Sequence, residues 1–247
     1  MAGRIEARPR FVGRAVRRAS VPFEVMNDQI SFYRRVVTSL PAALRYRPLI
    51  LSLISDITIG AGAILMGAGM FFVIFSMSFF TGTQVGLEGL QGLEQIGAES
   101  FVGLVSSWAN TREITPLIAG IALAAQTGAG FTAEIGAARI SEEIDALEVM
   151  AVPSIIYIVG TRVWASLITI IPLYLAALFS SYLATQAIVT KFFALSSGTY
   201  THYFQLFLPA TDIFYSLLKA IVFAVVILNL VLSLLMWGGG DTVRIAG

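Results

Sequence analysis

The apolar residues of this 247-residue chain fall in long stretches separated by short polar segments. The first, 57–80, has 24 residues without a charge, whereas a helix needs about 20 to cross a bilayer. Three more apolar stretches, each with one or two charged residues, lie at 100–133, 153–190 and 212–237. The pattern predicts an all-α polytopic membrane protein with four transmembrane helices.

The segment before the first span has a different pattern. Residues 23–47 alternate apolar and basic positions at helical spacing and stop at Pro48. This indicates an amphipathic helix in the membrane interface, following an Arg-rich tail over 1–22 and preceding a membrane domain over 48–247. A solvated basic tail is the alternative. The apolar face of the helix would contain Phe23, Ile30, Phe32, Val36, Val37 and Leu40.

Charge predicts the orientation. Residues 1–47 contain ten arginines and three acidic residues, whereas 81–99 contain three glutamates and neither lysine nor arginine. Because positive residues mark the cytoplasmic side, we expect a cytoplasmic N-terminus. The Gly-rich segment 81–99 is then an outside loop with a short, loose helix, and 191–210 also lies outside.

Composition narrows the function. Hydrophobic residues make up 57% of the chain and charged residues 13%, with no cysteine and one histidine. We therefore expect no metal site, no cofactor and no catalytic residues in this chain. The only lysines, Lys191 and Lys219, do not follow a glycine, so the chain has no phosphate-binding loop of its own. The sequence lacks the internal repeat that a secondary transporter usually has, and it lacks a group of residues that could form the active site of a lipid-modifying enzyme.

Charged residues interrupt the second span. Arg112 and Glu113 lie just before Pro116, which breaks the helical hydrogen-bond ladder. As one straight helix, 100–133 would be about 51 Å long, so it must bend, tilt or leave the lipid. We expect this charged pair to face protein or water, either at a ligand pocket or as an ion pair that only fixes helix packing.

Small residues form two rows at the end of the same span. Such rows let membrane helices approach closely, so they predict a packed interface within this chain or with another. One row holds Ala124, Gly128, Thr132 and Gly136, and the other holds Ala125, Ala129, Ala133 and Ala137.

The segment between spans two and three predicts a short amphipathic helix over 141–151. Ser141 would cap it, with Glu142 and Glu143 in the first turn. This helix either docks on a cytoplasmic partner or folds back onto its own membrane helices or the lipid. Its apolar stripe would be Ile140, Ile144, Leu147 and Ala151.

Residues 112–153, REITPLIAGIALAAQTGAGFTAEIGAARISEEIDALEVMAVP, closely resemble the MlaE/YrbE permease family. These proteins are the membrane subunits of ABC-type lipid transporters that work with Mce proteins. The resemblance extends over most of the chain. GIALAA and GTYTHYF, at 198–204, resemble the B-type YrbE subunit of actinobacterial Mce systems. The family usually has a fifth transmembrane helix, whereas this sequence stops after LLMWGGGDTVRIAG, so either the subunit is natively short or the chain is truncated.

The resemblance implies a multi-pass lipid permease of the inner (plasma) membrane, driven by a separate cytoplasmic ATPase dimer that binds ATP and Mg²⁺. It further implies a second YrbE-like subunit, an A-type partner in a heterodimer, and extracytoplasmic Mce proteins. Fatty acids, sterols or phospholipids would be imported. Arg112, Glu113 and Pro116 would lie at the lipid pocket. A non-transporting scaffold for outside lipid-binding proteins is the alternative. The coupling helix to the ATPase would use Ile140, Glu142, Glu143, Ile144, Asp145, Leu147 and Glu148.

Overall fold

The computed structural model of the protein describes residues 27, 30–58 and 69–237. The predicted tail 1–22, the start of the predicted interfacial helix, residues 59–68 of the first predicted span and the segment after Trp237 lie outside these ranges. In the described part the regular structure is helical, without a strand. The helices are α1 (30–43), α2 (Arg47–Thr58), α3 (Met70–Glu94), α4 (Val102–Ala109), α5 (Thr115–Ile140), α6 (Glu143–Val149), α7 (Thr161–Ala187), α8 (Ser197–Leu206) and α9 (Ala210–Trp237).

Three helical stretches are long and apolar enough to cross a membrane: Met70–Glu94, Glu99–Ile140 and Ile155–Phe192. A fourth is formed if α8 and Ala210–Val226, bent by 73° at a short break, count as one broken span. The all-α polytopic architecture predicted from hydropathy is therefore confirmed. The second and third stretches are not uniform, because π-helical turns interrupt them at Asn110–Ile114, Ile155–Gly160 and Ile188–Phe192.

Helix α7 is the centre of the bundle. Of its 27 residues, 14 are buried, and they face α2, α3, α5 and α9. Tyr174, Ile170 and Leu173 are among the largest fully buried side chains of the described residues. A helix that is covered on most sides must be apolar around most of its circumference, which is why its sequence shows a long apolar run rather than a narrow stripe.

Helix α1 covers the beginning of α7. Phe32 and Val36 are buried, and the indole N–H of Trp164 donates to the carbonyl of Leu40 at 2.8 Å. Ile30 and Val37 are exposed, so the buried face is narrower than the sequence predicted. The helical path also continues past the expected stop: a 3₁₀ turn, Leu44–Tyr46, leads into α2, whose first turn holds Pro48. Proline is tolerated there because the N–H groups of a first turn have no helical partner.

The prediction that 81–99 form a loop with only a short, loose helix is wrong as far as Glu94, because α3 continues to that residue. Its glycines are a packing surface. A Cβ at Gly82 would lie 2.4 Å from the Ser181 carbonyl oxygen, and one at Gly86 would lie 2.3 Å from Cγ2 of Ile188. Glycine is a weak helix former in water, but between membrane helices it allows the backbones of α3 and α7 to touch.

Polar side chains reinforce this contact. The Asn110 amide donates to Thr185 Oγ1 at 2.9 Å, and the Thr185 hydroxyl donates to the carbonyl of Gly82 at 2.7 Å. Ser106 and Tyr200 share a hydrogen bond of 2.8 Å between the second span and α8. Buried polar groups need such partners where lipid offers none, so these bonds fix the register of the helices.

Candidate functional site

Arg112 and Glu113 of the second span face α9. Arg112 forms an ion pair with Asp212, with 2.7 Å between a terminal guanidinium nitrogen and Oδ2, and its Nε donates to the same oxygen at 2.8 Å. Glu113 pairs with Lys219 at 2.8 Å. Arg112 and Glu113 do not pair with each other, because consecutive residues on a helix do not face each other. Each instead finds a partner on α9.

A backbone defect explains why α9 meets the chain here. In a regular α-helix, the N–H groups of Thr115 and residue 116 would bond the carbonyls of Thr111 and Arg112. The N–H of Thr115 bonds the carbonyl of Asn110 instead, and Pro116 has no N–H. The Thr111 carbonyl accepts a hydrogen bond from the Ser216 hydroxyl, and the Arg112 carbonyl accepts one from Lys219 Nζ at 2.7 Å.

Helix α9 thus supplies partners for carbonyls that this irregular stretch exposes. Pro116 itself is buried and does not line the groove beside α9. Its contribution is to interrupt the ladder, as expected, and to leave the Arg112 carbonyl available.

The two ion pairs lie along an open groove of about 610 Å³. Its charges cancel in pairs, and apolar side chains lie beside them. Such a surface suits an amphiphile, whose polar end can exchange with the ion pairs while its apolar part contacts the wall. Within the described ranges, no group of acidic residues and histidine is arranged to hold a metal ion. The groove is lined by Arg112, Glu113, Asp212, Tyr215, Ser216, Leu218, Lys219 and Val222.

The floor of the groove continues into α7. Ser216 accepts a hydrogen bond of 2.6 Å from the Tyr174 hydroxyl, and Thr111 Oγ1 shares one with the Tyr182 hydroxyl. Sequence reasoning did not connect Lys219 with the charged pair and missed Asp212 and Ser216. The signal was their spacing, because positions 212, 216 and 219 repeat at i, i+4 and i+7 and share one helix face.

Helix α6 is shorter than predicted and begins differently. It extends over Glu143–Val149, and Glu142 precedes it in the left-handed region with φ 58°. Ser141 does not cap it. Its hydroxyl donates back to the carbonyls of Ala137 and Ala138 at 3.0 and 3.4 Å. Serine at the end of a helix can bond the preceding turn in this way, and here the chain reverses before α6 begins, which takes the hydroxyl away from the new N-terminus.

The surface of α6 is acidic with exposed apolar side chains. Glu142, Glu143, Asp145 and Glu148 are exposed, and Glu148 accepts a hydrogen bond of 3.2 Å from Ser154. Ile144 and Leu147 of the predicted stripe are half-buried against the protein. Ile140 is 87% exposed and Val149 88%, and Met150 is also exposed. Sequence reasoning missed Val149 and Met150, which lie outside the strict helical repeat that it followed.

The small-residue rows of α5 mostly face away from this chain's own core. Residues 125, 129, 132 and 133 are exposed, 124 and 136 are half-buried, and Gly128 is buried. A Cβ at Gly136 would meet nothing within 4 Å. The buried face of α5 is instead the neighbouring one, with Ala119, Leu123 and Phe131. The rows therefore provide little packing within this chain.

Comparison with known proteins agrees with this architecture. Residues 59–232 match the family model described as "Permease MlaE". A "Probable ABC transporter permease protein" of Rickettsia bellii is 33% identical over 156 residues, which cover 63% of this chain and 60% of the relative. The "Intermembrane phospholipid transport system permease protein MlaE" of Haemophilus influenzae is 26% identical over 163 residues, covering 66% of this chain and 62% of that protein.

The chloroplast protein "TRIGALACTOSYLDIACYLGLYCEROL 1" of Arabidopsis thaliana is 29% identical over 113 residues, covering 46% of this chain and 32% of that protein. The alignments with the bacterial relatives span about three fifths of those proteins. The family model covers well over half of the present sequence, and its range includes the second span, α6, α7 and most of α9. The chain belongs to the MlaE permease family.

Proposed function

We propose that this chain is the membrane subunit of an ABC-type lipid transporter and that the groove between the second span and α9 receives the lipid headgroup. The proposal rests on one observation: a member of a permease family has two interhelical ion pairs beside an interrupted helix. Charges at membrane depth are expensive, and a groove that keeps four of them beside apolar side chains is adapted to a ligand with both characters.

The proposed binding step is an exchange of partners. An anionic headgroup competes with Asp212 for Arg112 and with Glu113 for Lys219, while Tyr215 and the apolar side chains of α9 contact the chain of the lipid. The Lys219 ammonium is already held against the protein backbone, and it keeps its bond to the Arg112 carbonyl during the exchange. The site is therefore organised before the ligand arrives.

The proposed energy source is a separate cytoplasmic ATPase dimer that binds ATP and Mg²⁺ and docks on α6. Its contacts are the acidic residues and the exposed Ile140, Val149 and Met150. The side chains of Ile144 and Leu147 connect α6 to the rest of the protein. With α6 on the cytoplasmic side, the N-terminal residues are also cytoplasmic, in agreement with their arginines.

The remaining partners follow from the surfaces left uncovered. The exposed small-residue rows of α5 fit a second YrbE-like subunit, an A-type partner if the chain is a B-type subunit of an actinobacterial Mce system. The end of the bundle that holds α8 is the docking place for extracytoplasmic Mce proteins. Import of fatty acids, sterols or phospholipids through them completes the proposal.

The chain offers a matched test of the lipid site, since it has only two lysines. The transporter is reconstituted in liposomes with a photoreactive phospholipid. We expect Lys219→Met to lower both cross-linking to α9 and lipid transport by about tenfold, as loss of one hydrogen bond to a charged group does. Lys191→Met, which removes a lysine outside the groove, should leave both unchanged. Equal effects of the two substitutions would contradict the lipid site.

A second experiment separates the transporter from the scaffold. Leu147→Asp places a charge at the half-buried base of α6. A transporter loses the bound ATPase and lipid transport together, but keeps its outside partners. A scaffold has no ATPase to lose, and its co-purifying proteins, identified by mass spectrometry, would be the same in the variant and the wild type.

A further inference from the structure

Arg162, at the second position of α7, connects the two helices that flank α6. Its NH2 nitrogen lies 2.8 Å from Oε2 of Glu134 on α5, and its guanidinium carbon lies 5.5 Å from the centre of the Phe131 ring. Its NH1 nitrogen donates to the carbonyl of Ile158 at 3.0 Å. We call Phe131, Glu134 and Arg162 the Arg162 clamp.

The arginine of the clamp is more buried than its glutamate. The Arg162 side chain is 15% exposed, whereas that of Glu134 is 52% exposed. The Ile158 carbonyl belongs to the π-helical turn Ile155–Gly160, so a guanidinium nitrogen anchors the irregular start of the third span while another holds α5. Arginine makes the two bonds with separate nitrogens of its planar fork. A cation largely removed from water is expensive to leave without its carboxylate.

The position of the clamp gives it a consequence beyond packing. Helix α6 is connected at one end to α5 and at the other to the third span, which we call its two arms. Its residues are exposed or only half-buried. A force applied to α6 reaches the bundle mainly through these two arms. If the arms separated, the movement would spread the hairpin instead of reaching the groove, which lies at the other end of α5.

We propose that the Arg162 clamp is a positioning device that makes α5 and the third span move as one unit when the ATPase acts on α6. The inference rests on the proposed function, because it assumes that α6 is the docking site. Through the clamp, a displacement of α6 shifts α5 along its length and changes the spacing between Arg112 and α9. The residues of the clamp contact neither lipid nor ATPase in this scheme; they act through the helices that they join.

The test measures lipid transported per ATP hydrolysed, in the complete transporter reconstituted in liposomes. We expect Glu134→Gln to lower this ratio about fivefold, within the range produced by substitutions between coupled sites. The amount of bound ATPase should stay within about twofold of the wild type, as for surface substitutions remote from an interface. Glu88→Gln is the matched control, because Glu88 is an exposed carboxylate on α3 bonded to Gln84.

A merely structural role is distinguished by a second variant. Glu134→Asp keeps a carboxylate on α5 and leaves the bond from Arg162 to the Ile158 carbonyl intact, so the ratio should rise above that of Glu134→Gln. An unchanged ratio in Glu134→Gln overturns the proposal, as does a fall in bound ATPase that accounts for the whole loss of transport. If wild-type chain binds no ATPase at all, the proposed function fails instead.

A distance measurement decides the matter where transport cannot be measured. The chain has no cysteine, so Ala137→Cys and Ile156→Cys place one spin label on each arm between the clamp and α6. We expect one narrow distance distribution in the full-length protein and a broader or longer one after Glu134→Gln. The same distribution in both proteins would show that the clamp does not hold the arms together, and the proposal would be withdrawn.

Discussion

The contact between Gly82 and α7 gives the sharpest prediction about stability. A Cβ added at Gly82 would lie 2.4 Å from the Ser181 carbonyl oxygen and 2.8 Å from the Ser181 Cα. Both neighbours are backbone atoms in the middle of a helix, so no side chain can rotate away. An ordinary contact needs about 3.4 Å, and α3 and α7 must separate by close to 1 Å to accommodate Gly82→Ala.

The size of the effect follows from what this separation disrupts. Overpacking a well-packed interface costs about 1–3 kcal/mol. The hydrogen bond from Thr185 to the Gly82 carbonyl would also lengthen, and polar contacts between membrane helices contribute about 0.6 kcal/mol on average. Alanine is a better helix former than glycine by about 0.8–1.0 kcal/mol, which offsets part of the loss. We expect Gly82→Ala to be destabilised by about 1–2 kcal/mol.

Gly92 is the matched control, because it lies in the same helix and a Cβ there would meet nothing within 4 Å. Gly92→Ala should therefore gain the helix-propensity term alone, about 0.8–1.0 kcal/mol. The assay is thermal unfolding of the purified full-length protein in one detergent, followed by tryptophan fluorescence or loss of monodispersity. Gly82→Ala should unfold at a lower temperature than the wild type and Gly92→Ala at a higher one. Stability of Gly82→Ala equal to that of Gly92→Ala would refute the close contact of α3 and α7.

Two further predictions concern the groove and the residue Ala151, just after α6. Ser216→Ala removes a hydroxyl that accepts a hydrogen bond from Tyr174 and donates one to the Thr111 carbonyl, so the free energy of unfolding should fall by about 1–3 kcal/mol. Ser154→Ala is the control, because its hydroxyl bonds only an exposed carboxylate, and it should change the unfolding temperature little in the same thermal assay. Ala151 has φ 57°, a left-handed conformation that costs an L-residue about 1–2 kcal/mol, so Ala151→Gly should raise the unfolding temperature. Ala146→Gly, inside α6, should lower it. The opposite order would contradict the left-handed conformation of Ala151.

The comparison of sequence and structure shows where pattern reasoning stops working. Hydropathy predicted the helical spans because burying an apolar run in lipid requires every backbone group to bond within its own helix. The boundaries were poorer. Glycines at 82 and 86 indicated a loop, since helix propensities measured in water do not apply where two backbones touch. Only the position of α7 shows that these glycines are contact points.

The candidate site was predicted in half. Arg112 and Glu113 stood out because charges inside an apolar span are rare, and Pro116 marked the interrupted ladder. Their partners could not be assigned from the sequence alone. Asp212 is 100 residues from Arg112 and Lys219 is 106 residues from Glu113, and they become neighbours only when α9 packs on the second span. The same holds for Glu134 and Arg162, which are 28 residues apart on either side of α6.

The sequence by itself determined the helical class, the approximate spans, the charge asymmetry of the N-terminal region and the presence of a short acidic segment between two spans. These properties depend on local composition and on the periodicity of one helix at a time. The tertiary structure alone decided which glycines pack, which charges pair and which residues of α6 remain exposed. Those properties depend on the rotation and depth of each helix relative to its neighbours, which many small contacts fix together and no single segment encodes.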